Sequence, residues 1–439
     1  MQFTSFPLVT SLTKPYDAAH HVLFTMLSRL SEKLLGNSEF ALRLPAVIAG
    51  LAMLVMIWFW THRLLHGAWS AFAGAILLAS QPLLLDHMSA ARGYGLGAAL
   101  WTAGLLLVCG SLGAAEGNRS KLLWAGVCFG LSLGANLIFL VPLAGLLAVY
   151  LWVETPCWGR LAGSVERVGQ VIVTAALIAF ALLLAPLAHS TRGNFYFGSE
   201  SIEGAVTSVI ASSVPLGPTF LARATGGYLR FFLAASLTGA AIYFGLALVR
   251  RRMLSAPGAS VSALVCGTTV VTAGLMVAAH KMANLPYPFA RTGLPLLILI
   301  LMSACVLVRE SIAVPFLRPA WILCVCAAAL CHLAALRTDR YAEWDFDADT
   351  RLVAARARDL LRGTHAPTRV CATWMLEPSM DYYLQRFSGQ LPPISRNRYG
   401  EACDLVVLLP DDPNRSKETG RPVFTSPISQ VTLYDRRNR

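Results

Sequence analysis

An acid, an imidazole and a guanidinium come together in one short stretch of an otherwise apolar sequence. Asp86 and His87 end an apolar run, and Arg92 and Tyr94 lie where the next one begins. A carboxylate close to a bilayer is costly unless it has a role or a partner. We therefore expect Asp86 to contact a ligand or a metal ion, the alternative being a structural ion pair with Arg92.

A second group of polar residues precedes an apolar segment near the start of the chain. Asp17, His20 and His21 come directly before residues 22–35, whose apolar spacing predicts an amphipathic helix on the outer membrane surface. The histidines would begin this helix. They are either polar residues at a helix end or part of a functional site.

A third group combines cations with prolines. His280, Lys281 and Arg291 lie in a segment whose shape Pro286 and Pro288 restrict. A guanidinium at the start of a helix suits a phosphate. The alternative is that the two long cations extend to lipid headgroups without a specific ligand.

The composition is that of an integral membrane protein. Of the 439 residues, 56% are hydrophobic and 14% are charged, and the mean hydropathy is +0.57. Soluble domains hold about 25% charged residues, so this composition rules out a disordered or fibrous protein and argues against a soluble one. The net charge of +12 lies largely in loops between apolar runs. There Lys and Arg set topology, so nucleic-acid binding is not expected.

Long apolar runs divide the chain into helices and domains. A helix needs about 20 apolar residues to cross a bilayer. This criterion predicts about 10 spanning helices, at residues 45–62, 68–86, 93–112, 121–136, 137–153, 169–189, 229–249, 262–280, 293–309 and 317–336. We accordingly predict a first outer loop with a surface helix (1–44), a transmembrane domain (45–336) and a soluble domain (337–439).

Basic residues give these spans a direction. Arg and Lys lie in alternate loops, which we expect to face the cytoplasm. Residues 1–44 and 337–439 would then lie on the outer side. No apolar run precedes residues 1–44 to carry them across, so we expect that the sequence is N-terminally incomplete or has lost a first spanning helix.

The soluble domain has the pattern of a small α/β unit of about four strands. Residues 351–362 and 380–386 have the spacing of helices. Residues 368–374 and 405–409 are continuous apolar runs, which predict buried strands.

Cysteines and aspartates add two expectations for this domain. Cys371 and Cys403 open strand-like runs, and a disulfide can join them if the domain is extracytoplasmic. Asp345, Asp347 and Asp349 alternate as in a calcium loop, but no glycine and closing glutamate follow. We expect a charged surface turn there.

Several segments together resemble one family of membrane enzymes. The sequence is similar to the polyprenyl-phosphate-sugar-dependent glycosyltransferases of the GT-C fold, in the branch of the protein mannosyltransferases and the aminoarabinose transferase. The residues that carry the resemblance are His21, 36–45 (GNSEFALRLP), Asp86 with 91–94 (ARGY), 288–291 (PFAR) and 341–350 (YAEWDFDADT). The most specific of these is the segment 36–45 after His21.

The resemblance implies an inverting transfer of a sugar from a polyprenyl phosphate to a lipid, glycan or protein, at the outer face of a bacterial inner membrane. In such a reaction a carboxylate takes the acceptor's proton and cations stabilise the departing phosphate. The implied roles are catalytic carboxylates for Asp86 and Asp17, donor or phosphate binding for Arg92, Arg291, Lys281, His21 and Tyr94, and metal ligation for Asp86 and His87 if a divalent cation takes part. The expected partners are the lipid-linked donor, membrane lipids and an unidentified acceptor, and we expect a monomer.

The sequence departs from this family in the first outer loop. Family members carry an Asp-Glu pair there that supplies the base, and this pair is absent, Asp17 being the nearest carboxylate. A catalytically inactive relative that acts as a binding or assembly protein is therefore one alternative. A lipid transporter is another, although it would need polar residues along a path within the spans, and these hold almost none.

Overall fold

The computed structural model describes residues 20–65, 67–112, 119–155, 161–190, 197–214, 219–251, 254, 258–311, 316–362, 369–388, 395–396 and 403–437. The chain divides into two compact units between Leu336 and Arg337. We call residues 20–336 the membrane unit and residues 337–437 the tail unit, and each is described by itself.

The membrane unit is built of helices. In chain order they are α1 (Val22–Leu35), α2 (Glu39–Leu64), α3 (Ala68–Ala79), α4 (Pro82–Ser89), α5 (Gly93–Cys109), α6 (Arg119–Ala135), α7 (Leu140–Glu154), α8 (Leu161–Ala188), α9 (Ile202–Ser213), α10 (Phe220–Val249), α11 (Ala259–Ala283), α12 (Leu294–Glu310) and α13 (Leu317–Ala335). Short 3-10 turns at Leu137–Phe139 and Ala290–Gly293 come directly before α7 and α12.

The predicted helical membrane fold is confirmed, and the predicted number of spans is approximate. In the described part, seven helices are long and apolar enough to cross a membrane, or eight if α3 and α4, bent by 59° at their junction, count as one span. Every predicted span lies on a described helix or on this bent pair. The number differs because α5 and α6 have only 17 residues each, which is short for a bilayer.

Large apolar side chains are exposed on the surface of the membrane unit. Leu51, Val55 and Phe59 of α2 are each more than half exposed. Rows of large apolar side chains of this kind are suited to contact with lipid.

Glycines let the helices α6 and α8 approach closely. Gly126, Gly130 and Gly134 repeat every fourth residue of α6. A Cβ atom at these positions would lie 2.6 Å from Thr174 Cβ, 2.7 Å from the Ala175 carbonyl oxygen and 2.4 Å from Leu182 Cδ1. Small residues at this spacing are typical of packed membrane helices.

The helix α1 confirms the predicted helix at 22–35 but presents an unexpected face to the protein. Its buried side includes Phe24, Thr25 and Ser28, and the Ser28 hydroxyl donates a hydrogen bond to the Leu42 carbonyl (3.1 Å). Leu34, at the end of the helix, is 73% exposed. Small polar residues therefore pack against α2, while leucines at the end of the helix remain exposed.

The tail unit is a mixed sheet with two helices. Its elements are α14 (Thr350–Leu361), β1 (Val370–Ala372), α15 (Glu377–Ser388), β2 (Ser395–Arg396), β3 (Leu405–Leu408), β4 (Arg421–Thr425) and β5 (Thr432–Asp435). The strand order is β2-β1-β3-β5-β4, with β2, β1 and β3 parallel and β5 antiparallel to its neighbours. The predicted helices and buried strands are all found, and the described sheet has five strands.

Of the three aspartates predicted to form a charged surface turn, Asp345 is exposed in a 3-10 turn, but the other two form specific internal contacts. Asp347 accepts a hydrogen bond from the Ser379 hydroxyl (2.6 Å). Asp349 is buried and accepts hydrogen bonds from the two backbone amides of residues 428–429 (2.7 and 2.9 Å). These carboxylates hold distant parts of the tail unit together, because backbone amides are good partners for a buried charge.

The disulfide that the sequence allowed is present. Cys371 lies in β1, and Cys403 lies two residues before β3; the two are bonded across a sequence separation of 32. The bond joins neighbouring parallel strands, whose register pairs Val370 with Leu405.

Removal of this disulfide should destabilise the tail unit. The double substitution C371A/C403A should cost about 3–4 kcal/mol, because the bond closes a loop across 32 positions. Hydrogen exchange of the full-length protein should then be faster in β1 and β3. The control is Cys326→Ala, a free cysteine of α13, and equal exchange in the double variant and this control would contradict the prediction.

Candidate functional site

Tyr94 is the residue at which the three predicted groups of polar residues meet. The His21 and His87 rings lie beside its ring, with centroids 4.9 and 4.8 Å away. Arg291 donates a hydrogen bond from Nε to the Tyr94 hydroxyl (3.0 Å). We call His21, His87, Arg92, Tyr94 and Arg291 the Tyr94 cluster.

Close packing of the backbone fixes Tyr94 at the start of α5. A Cβ at Gly93 would lie 2.3 Å from the Ala135 carbonyl oxygen, and one at Gly95 would lie 2.2 Å from the His87 carbonyl oxygen. Only glycine fits such distances without a shift of the backbone. The two glycines therefore bring Tyr94 against α4 on one side and against the end of α6 on the other.

The short helix α4 places His87 against Tyr94. The Gln81 side chain begins this helix by accepting a hydrogen bond from the Leu84 amide (2.6 Å), and it donates one to the Ser213 hydroxyl of α9 (2.6 Å). His87 is fully buried. The helix is thus held at its start by a bond to a distant helix.

Asp86 and His87 do not form a metal site with their described neighbours. Successive residues of a helix point in different directions, and Asp86 is half-buried whereas His87 is fully buried. Within the described ranges no group of three or more His, Cys, Asp or Glu side chains could hold a metal ion. The predicted divalent cation has no described ligand set, so no step of the chemistry below is assigned to a metal.

Arg291 is positioned by a loop that precedes α12. Ser199 and Tyr287 exchange two backbone hydrogen bonds (2.8 and 2.7 Å), which joins this loop to the segment before α9. Ala290 has a left-handed φ of 47°, and its amide donates to the Ser208 hydroxyl (2.8 Å). A non-glycine residue in this conformation is strained, and the bond to Ser208 offsets part of that strain.

The guanidinium of Arg291 also lies on an aromatic ring. Its Cζ is 4.0 Å from the centroid of the Phe197 ring and 5.9 Å from that of Tyr94. Such cation–π contacts hold a guanidinium in place without neutralising its charge. Phe197 and Ser208 were not predicted as site residues, and neither shows a spacing or a motif by which the sequence could identify it.

His21 is held at the start of α1 by the end of another helix. Its Nδ1 lies 3.1 Å from the Ala135 carbonyl oxygen and 3.3 Å from Asn136 Nδ2. Ala135 ends α6, where helix carbonyls need partners from outside the helix, and a carbonyl can only accept. Nδ1 can bond only one of these two groups, because the carbonyl accepts and the Asn136 amide nitrogen donates. We assign the hydrogen to Nδ1, because the contact to the carbonyl is the shorter one and a buried carbonyl without a donor costs about 1–3 kcal/mol. The Asn136 amide then makes no hydrogen bond with this atom.

The electrostatic surroundings keep the His21 imidazole neutral. Burial lowers its pKa well below the ordinary value, and the positive charges of Arg92 and Arg291 lower it further, while the bond to Ala135 partly opposes the shift. Both guanidinium groups thus act on one ring. His21 is therefore an uncharged hydrogen-bonding group beside two cations.

Other predicted site residues do not join the cluster in the described structure. Lys281 is exposed on the last turn of α11 and has no described contact with Tyr94 or Arg291. Its neighbour His280 stacks on Tyr287, with ring centroids 4.1 Å apart. Asp17 lies outside the described residues.

The two glycines on either side of Tyr94 should not tolerate alanine. Gly93→Ala and Gly95→Ala should each cost about 1–3 kcal/mol, because the added methyl group meets a backbone carbonyl. Gly245→Ala is the control, since a Cβ there meets nothing within 4 Å, and it should be neutral or stabilising by up to about 1 kcal/mol. Thermal unfolding of the detergent-solubilised protein measures all three, and equal Tm values would contradict the close packing.

Stability should depend on pH through His21. As the pH falls below about 6.5, the unfolded chain takes up a proton at His21, whereas the folded protein does not. The free energy of unfolding should therefore decrease by up to about 1.4 kcal/mol per pH unit. His21→Gln should reduce this dependence of Tm between pH 7.5 and 5, while His189→Gln, at an exposed histidine, should not. An unchanged slope in His21→Gln would show that His21 is not the group responsible.

A family model matches the part of the chain that contains most of this site. Residues 19–187 match the family model described as dolichyl-phosphate-mannose-protein mannosyltransferase. This range includes every member of the Tyr94 cluster except Arg291. No curated protein matches the sequence significantly.

The comparison with solved structures gives matches of low sequence identity. ArnT from Cupriavidus metallidurans bound to undecaprenyl phosphate is 14% identical, with 98% of this chain and 92% of that chain covered and a TM-score of 0.49. The oligosaccharyltransferase of Archaeoglobus fulgidus is 11% identical, with 90% and 58% covered and a TM-score of 0.44. The family model agrees with the resemblance predicted from the sequence: residues 19–187 of this chain are similar to the dolichyl-phosphate-mannose-protein mannosyltransferases.

Proposed function

We propose that the protein is a membrane glycosyltransferase that moves a sugar, with inversion, from a polyprenyl-phosphate donor to a lipid, glycan or protein acceptor. The observation that carries this proposal is the anchoring of Arg291 on Tyr94, which brings a second guanidinium to the His21 imidazole on which Arg92 also acts. Two guanidinium groups whose charges act on one imidazole, one of them bonded to the Tyr94 hydroxyl, suit a phosphate ester.

The chemistry that this arrangement supports is displacement at the anomeric carbon. An acceptor oxygen or nitrogen forms a bond to that carbon, the bond to the phosphate oxygen breaks, and its electron pair stays on the phosphate. Arg92 and Arg291 stabilise the charge that develops there. The acceptor's proton goes to a carboxylate, for which Asp86 on α4 is the described candidate and Asp17 the other predicted one.

The location follows from the same proposal. The apolar helices place the protein in a membrane. The alternation of basic residues between the loops supports the inner membrane as its location and the outer side as the side of the tail unit. The Cys371–Cys403 disulfide supports this orientation too, because disulfides persist in oxidising compartments. We propose membrane lipids and the lipid-linked donor as partners of a monomeric protein.

Loss of either guanidinium should reduce sugar transfer strongly. Arg291→Gln and Arg92→Gln should each lower the turnover of polyprenyl-phosphate mannose by about 10²-fold, as for removal of a group that stabilises developing negative charge. Tyr94→Phe keeps the ring but loses the bond to Arg291, and it should lower turnover by about tenfold. The measurement is release of radiolabelled mannose from the lipid in detergent-solubilised membranes.

A matched control is available on another helix. Arg230→Gln removes an exposed guanidinium that contacts the Thr207 hydroxyl (3.2 Å), and it should leave turnover unchanged. Equal losses in the Arg230 and Arg291 variants would contradict the proposed role of the cluster. If the wild type binds the lipid but does not transfer the sugar, the protein is a non-catalytic binding protein instead.

A further inference from the structure

We propose that His21 recognises the sugar of the donor, with its Nε2 atom accepting a hydrogen bond from a sugar hydroxyl while Arg92 and Arg291 hold the phosphate. This inference rests on the proposed function and adds to it the group that separates a sugar-bearing lipid phosphate from a bare one. His21 would then be a specificity-determining residue of the site.

The first observation is a buried nitrogen without a partner. His21 is only 5% exposed, and its Nε2 makes no hydrogen bond with any described residue. Buried polar atoms in proteins are nearly always paired, and an exception calls for a ligand or a water molecule. The same ring packs edge-on against Tyr94, whose hydroxyl accepts the bond from Arg291.

The second observation is the direction of the missing hydrogen bond. With the hydrogen of the neutral ring assigned to Nδ1, which then donates to the Ala135 carbonyl (3.1 Å), Nε2 carries a lone pair and can only accept. Phosphate oxygens also accept, so a phosphodiester cannot pair with this atom. The partner must carry an O–H or N–H group.

The third observation is the charge around the ring. Arg92, Arg291 and His20 are the groups whose charges act on His21, and all of them oppose its protonation. Nε2 therefore remains an acceptor at neutral pH. A ligand that fits both features has a phosphate for the guanidinium groups and, in the same molecule, a hydroxyl for Nε2. A sugar linked through its anomeric oxygen to a phosphate has both groups, and a bare polyprenyl phosphate in its dianionic form has no hydroxyl.

The test compares the two lipids directly. We expect the wild type to bind polyprenyl-phosphate mannose about tenfold more tightly than polyprenyl phosphate, since one hydrogen bond to a neutral group has this order of effect. His21→Phe keeps a ring beside Tyr94 but has no acceptor, and it should abolish this preference while binding of the bare lipid changes less than about twofold. His21→Gln offers an amide oxygen near the position of Nε2 and should restore part of the preference.

Control and contrary outcomes separate this inference from the proposed function. His189→Phe, at an exposed histidine, should behave as the wild type. Equal weakening of both lipids in His21→Phe would indicate a purely structural role, and an unchanged preference would indicate that water alone occupies the position; either result overturns the inference. If the wild type binds neither lipid, the proposed function itself is overturned.

The wild type also allows a test without any variant at His21, should His21→Phe fail to fold. Donors that lack a single hydroxyl are compared with the complete polyprenyl-phosphate mannose. Loss of one particular hydroxyl should cost about tenfold in affinity, whereas the other deoxy donors should bind nearly as tightly as the complete donor. Equal affinities for all deoxy donors in the wild type would contradict recognition of a hydroxyl by His21.

Discussion

The hydrogen bond from Arg291 to the Tyr94 hydroxyl is the contact on which the rest of the site depends. It joins residues 197 positions apart in the sequence, and it is accompanied by the stacking of the same guanidinium on Phe197. Without it, the loop before α12 would carry its cation independently of α5. This hydrogen bond joins the loop before α12, whose backbone Ser199 holds, to the start of α5, which the glycines fix. The loop and the helix thereby belong to one charged site.

That arrangement requires the backbones of several helices to approach one another at van der Waals distance. The start of α5 touches the carbonyl of His87 on α4 and that of Ala135 at the end of α6. The carbonyl of Ala135 then accepts the bond that orients His21. With the hydrogen assigned to Nδ1 through this main-chain contact, the site accepts rather than donates at Nε2.

The sequence allowed the general fold and part of the site to be predicted. Apolar runs predict membrane helices because the signal is local, and Asp86, Arg92 and Tyr94 were noticeable because polar residues are rare near such runs. The lengths of α5 and α6 and the break between α3 and α4 were not predicted, since hydropathy alone does not place helix ends.

The positions of the supporting groups could not be predicted. Phe197 and Ser208 act on Arg291 through a ring face and a hydroxyl, and Ala135 acts on His21 through its backbone. None of these contacts needs a particular spacing in the sequence, because they arise only when distant segments pack together. In the tail unit the burial of Asp349 against the amides of residues 428–429 escaped prediction for the same reason.

The break at Gln81 separates α3 from α4, so that the two helices are held by different contacts. Its amide begins α4 and holds it to Ser213, so the angle of 59° between α3 and α4 is fixed by a bond outside both helices. A single continuous helix would transmit any shift along its axis from one end to the other. Because α4 is held by its own bond to Ser213, a change in the tilt of α3 need not move His87 away from Tyr94. The geometry of the site is thereby less dependent on how α3 lies in the lipid.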